Sequence, residues 1–410
     1  MTTVLVFLAS LILLETGLYV LVNRLRNGFQ WLITDRDESP AFDAAALEKF
    51  IRTSFDPDLG WTRPANSSGV EKSKEGLIEY HIDGKGARAN PVPVVFDRIA
   101  AFGDSYTFCR QVGDSETWPA MLSTRLGFGV ANFGVGNYGV DQAILRYERT
   151  DLTKSTEIVI LGFVPETICR IQSVWKHYLE FGNTFAFKPR FDLVDGNLTL
   201  LENLVRCEAD FKEIATKLPQ IQKRDFFYNY KFRRMQFRRP YLLSFFRGPL
   251  LNTKLIGALL LRGICRCMGI RLRDCEERPF AMIMERNIRE AHILYRTSSA
   301  TDLLRALLLR FRETATGLGH HPIVLVMPQL LDLQFKCAGE RAYQPFFKEL
   351  ATEVDVVDLT DHLGDVDFQS LYVEDRYGGH FSAVGNALVA SVLEKRCRSI
   401  LEYRNLDKRS

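Results

Sequence analysis

Hydrophobic and polar positions follow one another in an ordered succession of strand and helix patterns through the first half of this chain. An apolar, β-rich run covers 94–102, and a helical pattern follows at 118–126. A strand pattern at 130–133, a helical one at 141–149 and a strand pattern at 157–163 continue the alternation. Strands that alternate with helices are typical of a parallel sheet in an α/β protein.

The same alternation resumes near the C-terminus. A helical pattern is followed by two apolar strand patterns, at 301–314, 322–327 and 354–359. Ser382 is a typical N-cap and predicts a final helix to Lys395. We therefore predict one α/β domain, formed by 96–170 and 291–400, whose single sheet is split by an insertion.

The predicted insertion, 171–290, is rich in arginine and aromatic residues, most densely at 226–247. Such a pattern suits a helical cap over the sheet, and it also suits a membrane interface, where arginine stems and aromatic rings are both tolerated. Binding of single-stranded nucleic acid is the least favoured of the three interpretations. The segment 24–95 is turn-rich, and we predict an irregular arm that packs on the main domain.

The N-terminal segment is almost uninterruptedly apolar from Thr3 to Val22, with Glu15 as its only charge. About 20 apolar residues are enough to cross a bilayer, and the start lacks the basic residues of a signal peptide. We predict an uncleaved anchor over 1–23, with the membrane as a partner. Arg24 and Arg26 favour a cytoplasmic main domain, whereas analogy with anchored envelope proteins favours the extracytoplasmic side, which we adopt.

Composition narrows the choice of partners and cofactors. The chain has 46% hydrophobic and 25% charged residues and a formal net charge of +3, which is ordinary for a globular protein. Nothing in that balance favours nucleic acid, and we predict no such partner. The eight cysteines have no zinc-binding spacing, so we expect free thiols and no metal. Oligomeric state is left open.

Ser105 is the candidate nucleophile. It lies in the sequence Gly103-Asp104-Ser105, at the end of the first predicted strand and before a helix, which is where open α/β sheets bind ligands. Acyl transfer needs a hydroxyl nucleophile, a base and fixed donors around the oxyanion. The alternative is that Gly-Asp-Ser forms an ordinary turn.

Three blocks carry a family resemblance: FGDSYT at 102–107, NFGVGNYG at 132–139 and DRYGGHFS at 375–382. In this order they resemble the blocks of the SGNH (GDSL-like) hydrolases, of the membrane-anchored bacterial type. The resemblance implies a flavodoxin-like three-layer α/β/α sandwich. It also implies that Ser105 is the nucleophile, that His380 is the general base, and that the N–H of Ser105 is an oxyanion donor.

The remaining site residues follow from the same resemblance. The oxyanion and substrate-binding positions fall on Asp104, Asn132, Gly134, Gly136, Asn137 and Thr167. Asn137 stands where the family usually has glycine, and it keeps the N–H. The family's third-block asparagine is absent, and Thr167 is its most plausible substitute, because a hydroxyl can donate where Glu166 would repel an oxyanion.

The acid of the triad is displaced in this sequence. The family's aspartate usually precedes the histidine by three residues, a position that Tyr377 occupies here. Asp375 is our candidate, since glycines at 378 and 379 could let the loop bend back. A Ser-His dyad is the alternative.

The second block also spells Gly-x-Gly-x-x-Gly at 134–139, the signature of a dinucleotide site. No acidic residue follows at the required distance, so we predict no cofactor. The resemblance implies a serine esterase that hydrolyses a small-molecule or glycan ester, carrying an O-acetyl or lipid acyl group. An O-acetyltransferase is one alternative, and a degraded domain that binds a glycan or a protein in the envelope is the other.

Overall fold

The computed structural model describes residues 2–73, 76–270, 272–335, 341–364, 366–374 and 378–407. The chain forms two compact units. The first comprises Met1–Phe50, Gln172–Lys188 and Leu204–Arg286, and the second comprises Ile51–Ile171, Pro189–Asn203 and Asn287–Ser410. Each unit is built from separate stretches of the chain, and each is described in turn.

The second unit is built on a five-stranded parallel sheet. Its strands in chain order are β1 (Asp97–Gly103), β2 (Gly129–Asn132), β3 (Ile158–Phe163), β4 (His321–Val326) and β5 (Asp355–Asp358). In the sheet they lie in the order β2-β1-β3-β4-β5, with every neighbouring pair parallel. This is the flavodoxin-like order of doubly wound folds, and it confirms the predicted fold class.

Helices cover both faces of this sheet. Successive strand residues point to opposite faces, and the strands are apolar at almost every position, so both faces need to be covered. On one face Ile99 and Ile160 pack with Trp118 and Leu393. On the other face Phe102 contacts Tyr147, which in turn contacts Phe311. The helices of this unit are Ser105–Phe108, Trp118–Leu126, Val140–Arg149, Thr167–Arg170, Ser298–Gly317, Leu330–Gln334, Gln344–Leu350 and Ala383–Asp407.

The arm before β1 is more regular than predicted. Strands Ser67–Ser73 and Gly76–Ile82 form an antiparallel hairpin, and Arg88 bridges to Asn132 on the edge strand β2. The sequence pattern missed this hairpin because its apolar side chains are divided: Tyr80 and Ile82 are buried, whereas Val70 and Leu77 face solvent. The other short antiparallel pairs of this unit are Phe55–Asp56 with Gly60–Trp61, Arg190–Val194 with Asn197–Leu201, and Tyr372–Glu374 with Gly378–Phe381.

The first unit is helical and contains the apolar N-terminal helix, Thr2–Gly28. That helix is long and apolar enough to cross a membrane. Its C-terminal half packs through Val22 on Leu255 and Leu259 of a later helix. The remaining helices are Ala44–Thr53, Lys176–Leu179, Glu208–Lys212, Ile214–Arg224, Tyr228–Phe232, Arg233–Met235, Tyr241–Phe246, Pro249–Cys267 and Arg273–Leu294, of which the first and last each extend into the second unit.

Candidate active site

Ser105 is the first residue of a short helix, Ser105–Phe108, that begins directly after β1. The turn requires Gly103, because its φ is +153° and a Cβ there would overlap the carbonyl oxygen of Gly162. Ser105 is 5% exposed. In the part of the chain that the structure describes, its hydroxyl makes no hydrogen bond, and neither does its N–H.

Asp104 is buried behind the nucleophile and holds the turn. Its carboxylate caps the short helix by accepting from the N–H of Tyr106 at 2.8 Å, and its other oxygen accepts from Val164 at 3.1 Å. Arg170 donates to the same oxygen at 3.1 Å and pairs with Glu166 at 3.0 Å. Burial raises the pKa of Asp104, and Arg170 opposes that rise. These contacts give Asp104 a structural task in the turn.

His380 lies beside this turn, in a strand that precedes the final helix. Its ring is 5.1 Å from the ring of Tyr106, whose hydroxyl donates to the carbonyl of Gly379 at 2.7 Å. Burial, followed by the charges of Arg110 and Arg170, holds the pKa of His380 well below its usual range. The imidazole is therefore neutral at pH 7, which is the state that a general base needs.

Among the described side chains, Gln111 forms the hydrogen bond to His380. The Nδ1 of His380 lies 2.7 Å from the amide oxygen of Gln111. Because that oxygen only accepts, the ring proton belongs on Nδ1 and the lone pair on Nε2. The predicted partner Asp375 lies outside the described residues, so its role stays a prediction. Gln111 belongs to none of the three sequence blocks, which is why the sequence did not reveal it.

The N-terminal hairpin holds Gln111 in place. Gln111 has a φ of +68°, and its N–H donates to the carboxylate of Glu71 at 3.1 Å. Arg110 donates to the same carboxylate at 2.8 Å. Arg88 supports the loop from inside, since its guanidinium donates to the carbonyls of Phe108, Cys109 and Val112. Residues of the arm thus form the support of the candidate site.

The loop after β2 lies against the serine turn. Asn132 accepts the N–H of Gly134 at 3.0 Å, and Val135 donates to the carbonyl of Gly103 at 3.0 Å. A Cβ on Gly134 would overlap the backbone of Phe108. Only glycine allows this close approach of the two loops, which accounts for the second sequence block in physical terms.

Gly136 and Asn137 form the tip of that loop. Asn137 has a φ of +69°, a conformation that asparagine tolerates better than most residues. Neither N–H is used in a hydrogen bond within the described part of the chain. The carbonyl of Gly136 accepts from the indole of Trp61 at 2.9 Å. That carbonyl and the N–H of Asn137 belong to one peptide unit, so the bond from Trp61 polarises the N–H outward.

Thr167 is fully buried at 0% exposure, and its hydroxyl oxygen accepts the N–H of Val140 at 3.0 Å. It therefore caps the helix Val140–Arg149, and its role as an oxyanion donor stays a prediction. Within the described ranges, no group of three histidine, cysteine or carboxylate side chains is placed to hold a metal ion.

No protein-family model matches the sequence, and no curated protein is significantly similar to it. Structural comparison finds distant likenesses. A protein assigned to the G-D-S-L lipolytic family from Desulfitobacterium hafniense is 13% identical with a TM-score of 0.32, covering 72% of this chain and 97% of its own. A Lactobacillus plantarum protein is 11% identical (TM-score 0.35, coverage 75% and 99%), and phospholipase A1 from Streptomyces albidoflavus is 12% identical (TM-score 0.32, coverage 73% and 100%).

Proposed function

We propose that this chain, whose strand order and sequence blocks give it an SGNH (GDSL-like) fold, is a membrane-anchored serine esterase. The observation that carries the proposal is the bond between His380 Nδ1 and the amide oxygen of Gln111. It leaves a neutral, basic Nε2 on a ring that lies beside Tyr106, the neighbour of Ser105.

The mechanism begins with attack of Ser105 Oγ on the acyl carbon, while His380 Nε2 takes the hydroxyl proton. The N–H groups of Ser105, Gly136 and Asn137 stabilise the oxyanion. His380 then gives the proton to the leaving alcohol, and an acyl-serine ester remains. Water repeats the sequence, with His380 as base, and releases the carboxylic acid. Gln111 accepts the Nδ1–H throughout and is a positioning residue.

A fluorophosphonate probe tests this proposal directly. We expect the full-length protein to be labelled, and we expect Ser105→Ala to lose labelling and hydrolysis of a p-nitrophenyl acyl ester series. Ser298→Ala is the matched control, because Ser298 is exposed at the start of a helix in the same unit. Absence of labelling in folded wild-type protein, with no hydrolysis of the series, would favour the alternative of a domain that only binds a glycan or protein.

Acyl transfer to a sugar hydroxyl is the second candidate function. The same acyl-serine ester would then be attacked by an alcohol in place of water, with His380 as base in both cases. Release of p-nitrophenol that accelerates when a sugar acceptor is added, with formation of the acylated sugar, identifies a transferase.

A further inference from the structure

In the first unit, hydrogen bonds join part of the insertion to the middle of the apolar helix. The carboxylate of Glu15 accepts hydrogen bonds from the N–H groups of Tyr241 and Leu242, at 2.5 and 2.8 Å. Glu15 lies at the centre of the span Thr2–Asn27 that is apolar enough to cross a membrane. The helix Tyr241–Phe246 is therefore joined to the middle of the helix that would cross the bilayer.

The helix Pro249–Cys267 runs beside the apolar helix in the same direction. Its residue Leu255 packs with Val22, and Arg262 donates to the carbonyl of Gly28 at 2.7 Å. From Pro249 to Arg262 and from Glu15 to Gly28 the rise is about 20 Å in each case, at about 1.5 Å per residue. The turn between the helices thus lies level with Glu15, and Arg262 lies level with the helix end.

The part of the apolar helix that makes no contact with other elements is too short to cross a bilayer. Residues 2–14 are exposed along their whole length, and protein contacts begin at Glu15. Thirteen residues rise only about 20 Å, about 10 Å less than a hydrocarbon core of about 30 Å. The rest of the hydrocarbon core must be crossed by the residues from Glu15 onward. The turn between the two helices is attached at this level. Side chains of that turn must meet lipid if the helix spans the bilayer.

The side chains at this level suit that environment. Leu243, Phe246 and Leu250 are 56%, 66% and 78% exposed, which is unusual for three large apolar side chains on one short stretch. Arg239 and Arg247 are exposed beside them. Apolar side chains with flanking arginines are typical of segments that enter a membrane by about 5–10 Å, while the guanidinium groups reach anionic headgroups.

We propose that the corner formed by residues 239–250 is a membrane-inserting surface for an anionic bilayer, in the leaflet at the C-terminal end of the apolar helix. This inference rests on the proposed anchoring by that helix. Arg239 also stacks on Tyr19, 5.2 Å from its ring centre, so the basic side chains and the apolar helix form one continuous surface. The bilayer thus contacts two elements of the first unit.

Lipid quenching of added tryptophans tests this surface. Full-length Phe246→Trp, Ile12→Trp and Met268→Trp variants are reconstituted in phosphatidylcholine–phosphatidylglycerol vesicles that contain lipids brominated at a shallow or a deep acyl position. We expect the added emission of Trp at 246 to be quenched about 2-fold or more, mainly by the shallow bromines. Trp at 12 should respond mainly to deep bromines. Trp at 268 should respond to neither, because Met268 is exposed just beyond the far end of the helix Pro249–Cys267, in the same unit.

The outcomes separate the two proposals. If the added Trp at 12 is quenched and the one at 246 is not, the apolar helix is an anchor and the membrane-inserting surface is wrong. If the one at 12 is not quenched, the anchoring proposal fails, and the surface fails with it. Quenching at 246 that is unchanged when phosphatidylglycerol is left out and Arg247 is replaced by Ser would overturn the role of anionic lipid.

Discussion

At the scale of single residues, the side chain that binds His380 among the described residues is an amide. A carboxylate beside the histidine would stabilise the imidazolium by charge, whereas the oxygen of Gln111 offers only a hydrogen bond. Arg110 and Arg170 act in the opposite direction and disfavour the protonated ring. His380 is therefore a base that is available at low pH but holds its proton weakly.

This environment predicts the pH dependence of catalysis. Because the folded pKa of His380 lies below 6.5, kcat/KM should stay at its plateau when the pH falls through 6.5 and decline only below it. The unfolded chain binds a proton near pH 6.5 that the folded chain excludes, so the free energy of unfolding should also fall below that pH.

Replacement of Gln111 tests whether this residue helps to set the pH dependence of kcat/KM. Gln111→Glu should raise the pKa of His380, because a carboxylate favours the protonated ring, and should move the decline of kcat/KM to higher pH. Gln111→Ala should lower kcat by about 10- to 100-fold. An identical pH profile in wild type and Gln111→Glu would show that Gln111 does not position His380.

At the scale of elements, the arm supports the candidate site. Arg88 spans from the edge of the sheet to the loop that carries Gln111, and its guanidinium satisfies three carbonyls in a buried position. Loss of these bonds would leave buried acceptors unsatisfied. The arm thus contributes to the site without containing any residue of the three sequence blocks.

Replacement of Arg88 tests this support. We expect Arg88→Ala to lower the free energy of unfolding by about 3 kcal/mol or more and to lower kcat more than it raises KM. Arg98→Ala is the matched control, because Arg98 pairs with Glu157 at the opposite end of β1 from Ser105. It should cost about 1 to 3 kcal/mol, because this hydrogen-bonded pair is only partly exposed, and it should leave kcat unchanged. Measurement combines denaturant unfolding with steady-state kinetics, and equal kinetic effects of both variants would contradict the role of Arg88.

The elements also show what the sequence could and could not predict. Strong periodicity predicted the strands and the helix Trp118–Leu126 to within a few residues. Ser382 caps the last helix as expected, accepting from Gly385. The hairpins were missed for physical reasons. In 190–201 the turn signal Asp195-Gly196 was present, with both residues at positive φ, but apolar strand residues such as Leu193, Val194 and Leu200 are exposed, so no buried face marks the strands.

The same limit applies to the site. Ser105 could be named as a candidate because it lies at a strand end, and His380 because its block resembles that of the SGNH hydrolases. Gln111 could not, because it reaches His380 from a loop whose course depends on Arg88 and Glu71, far away in sequence. A single sequence carries no pattern for a contact of this kind. The roles of Thr167 and Asp375 stay predictions.

At the scale of the whole molecule, the chain combines an apolar helix with a parallel α/β fold. We predict that the full-length protein remains in the membrane pellet after extraction at alkaline pH, because its N-terminal helix would be held by hydrophobic burial, which salt and pH do not weaken. Release into the supernatant would contradict anchoring. The extracytoplasmic side stays a prediction, which a compartment-sensitive enzyme fused after Ser410 checks by its activity.

The bond from Trp61 to the carbonyl of Gly136 gives the protein an optical signal of its own. If an oxyanion accepts the N–H of Asn137, electron density shifts toward the carbonyl oxygen of the shared peptide unit, which becomes a stronger acceptor for the indole. We therefore expect the emission maximum of Trp61 to change when the site is occupied. Covalent phosphonylation of Ser105 could be followed by fluorescence in real time, without an added dye, and replacing Trp61 by Phe would remove the response.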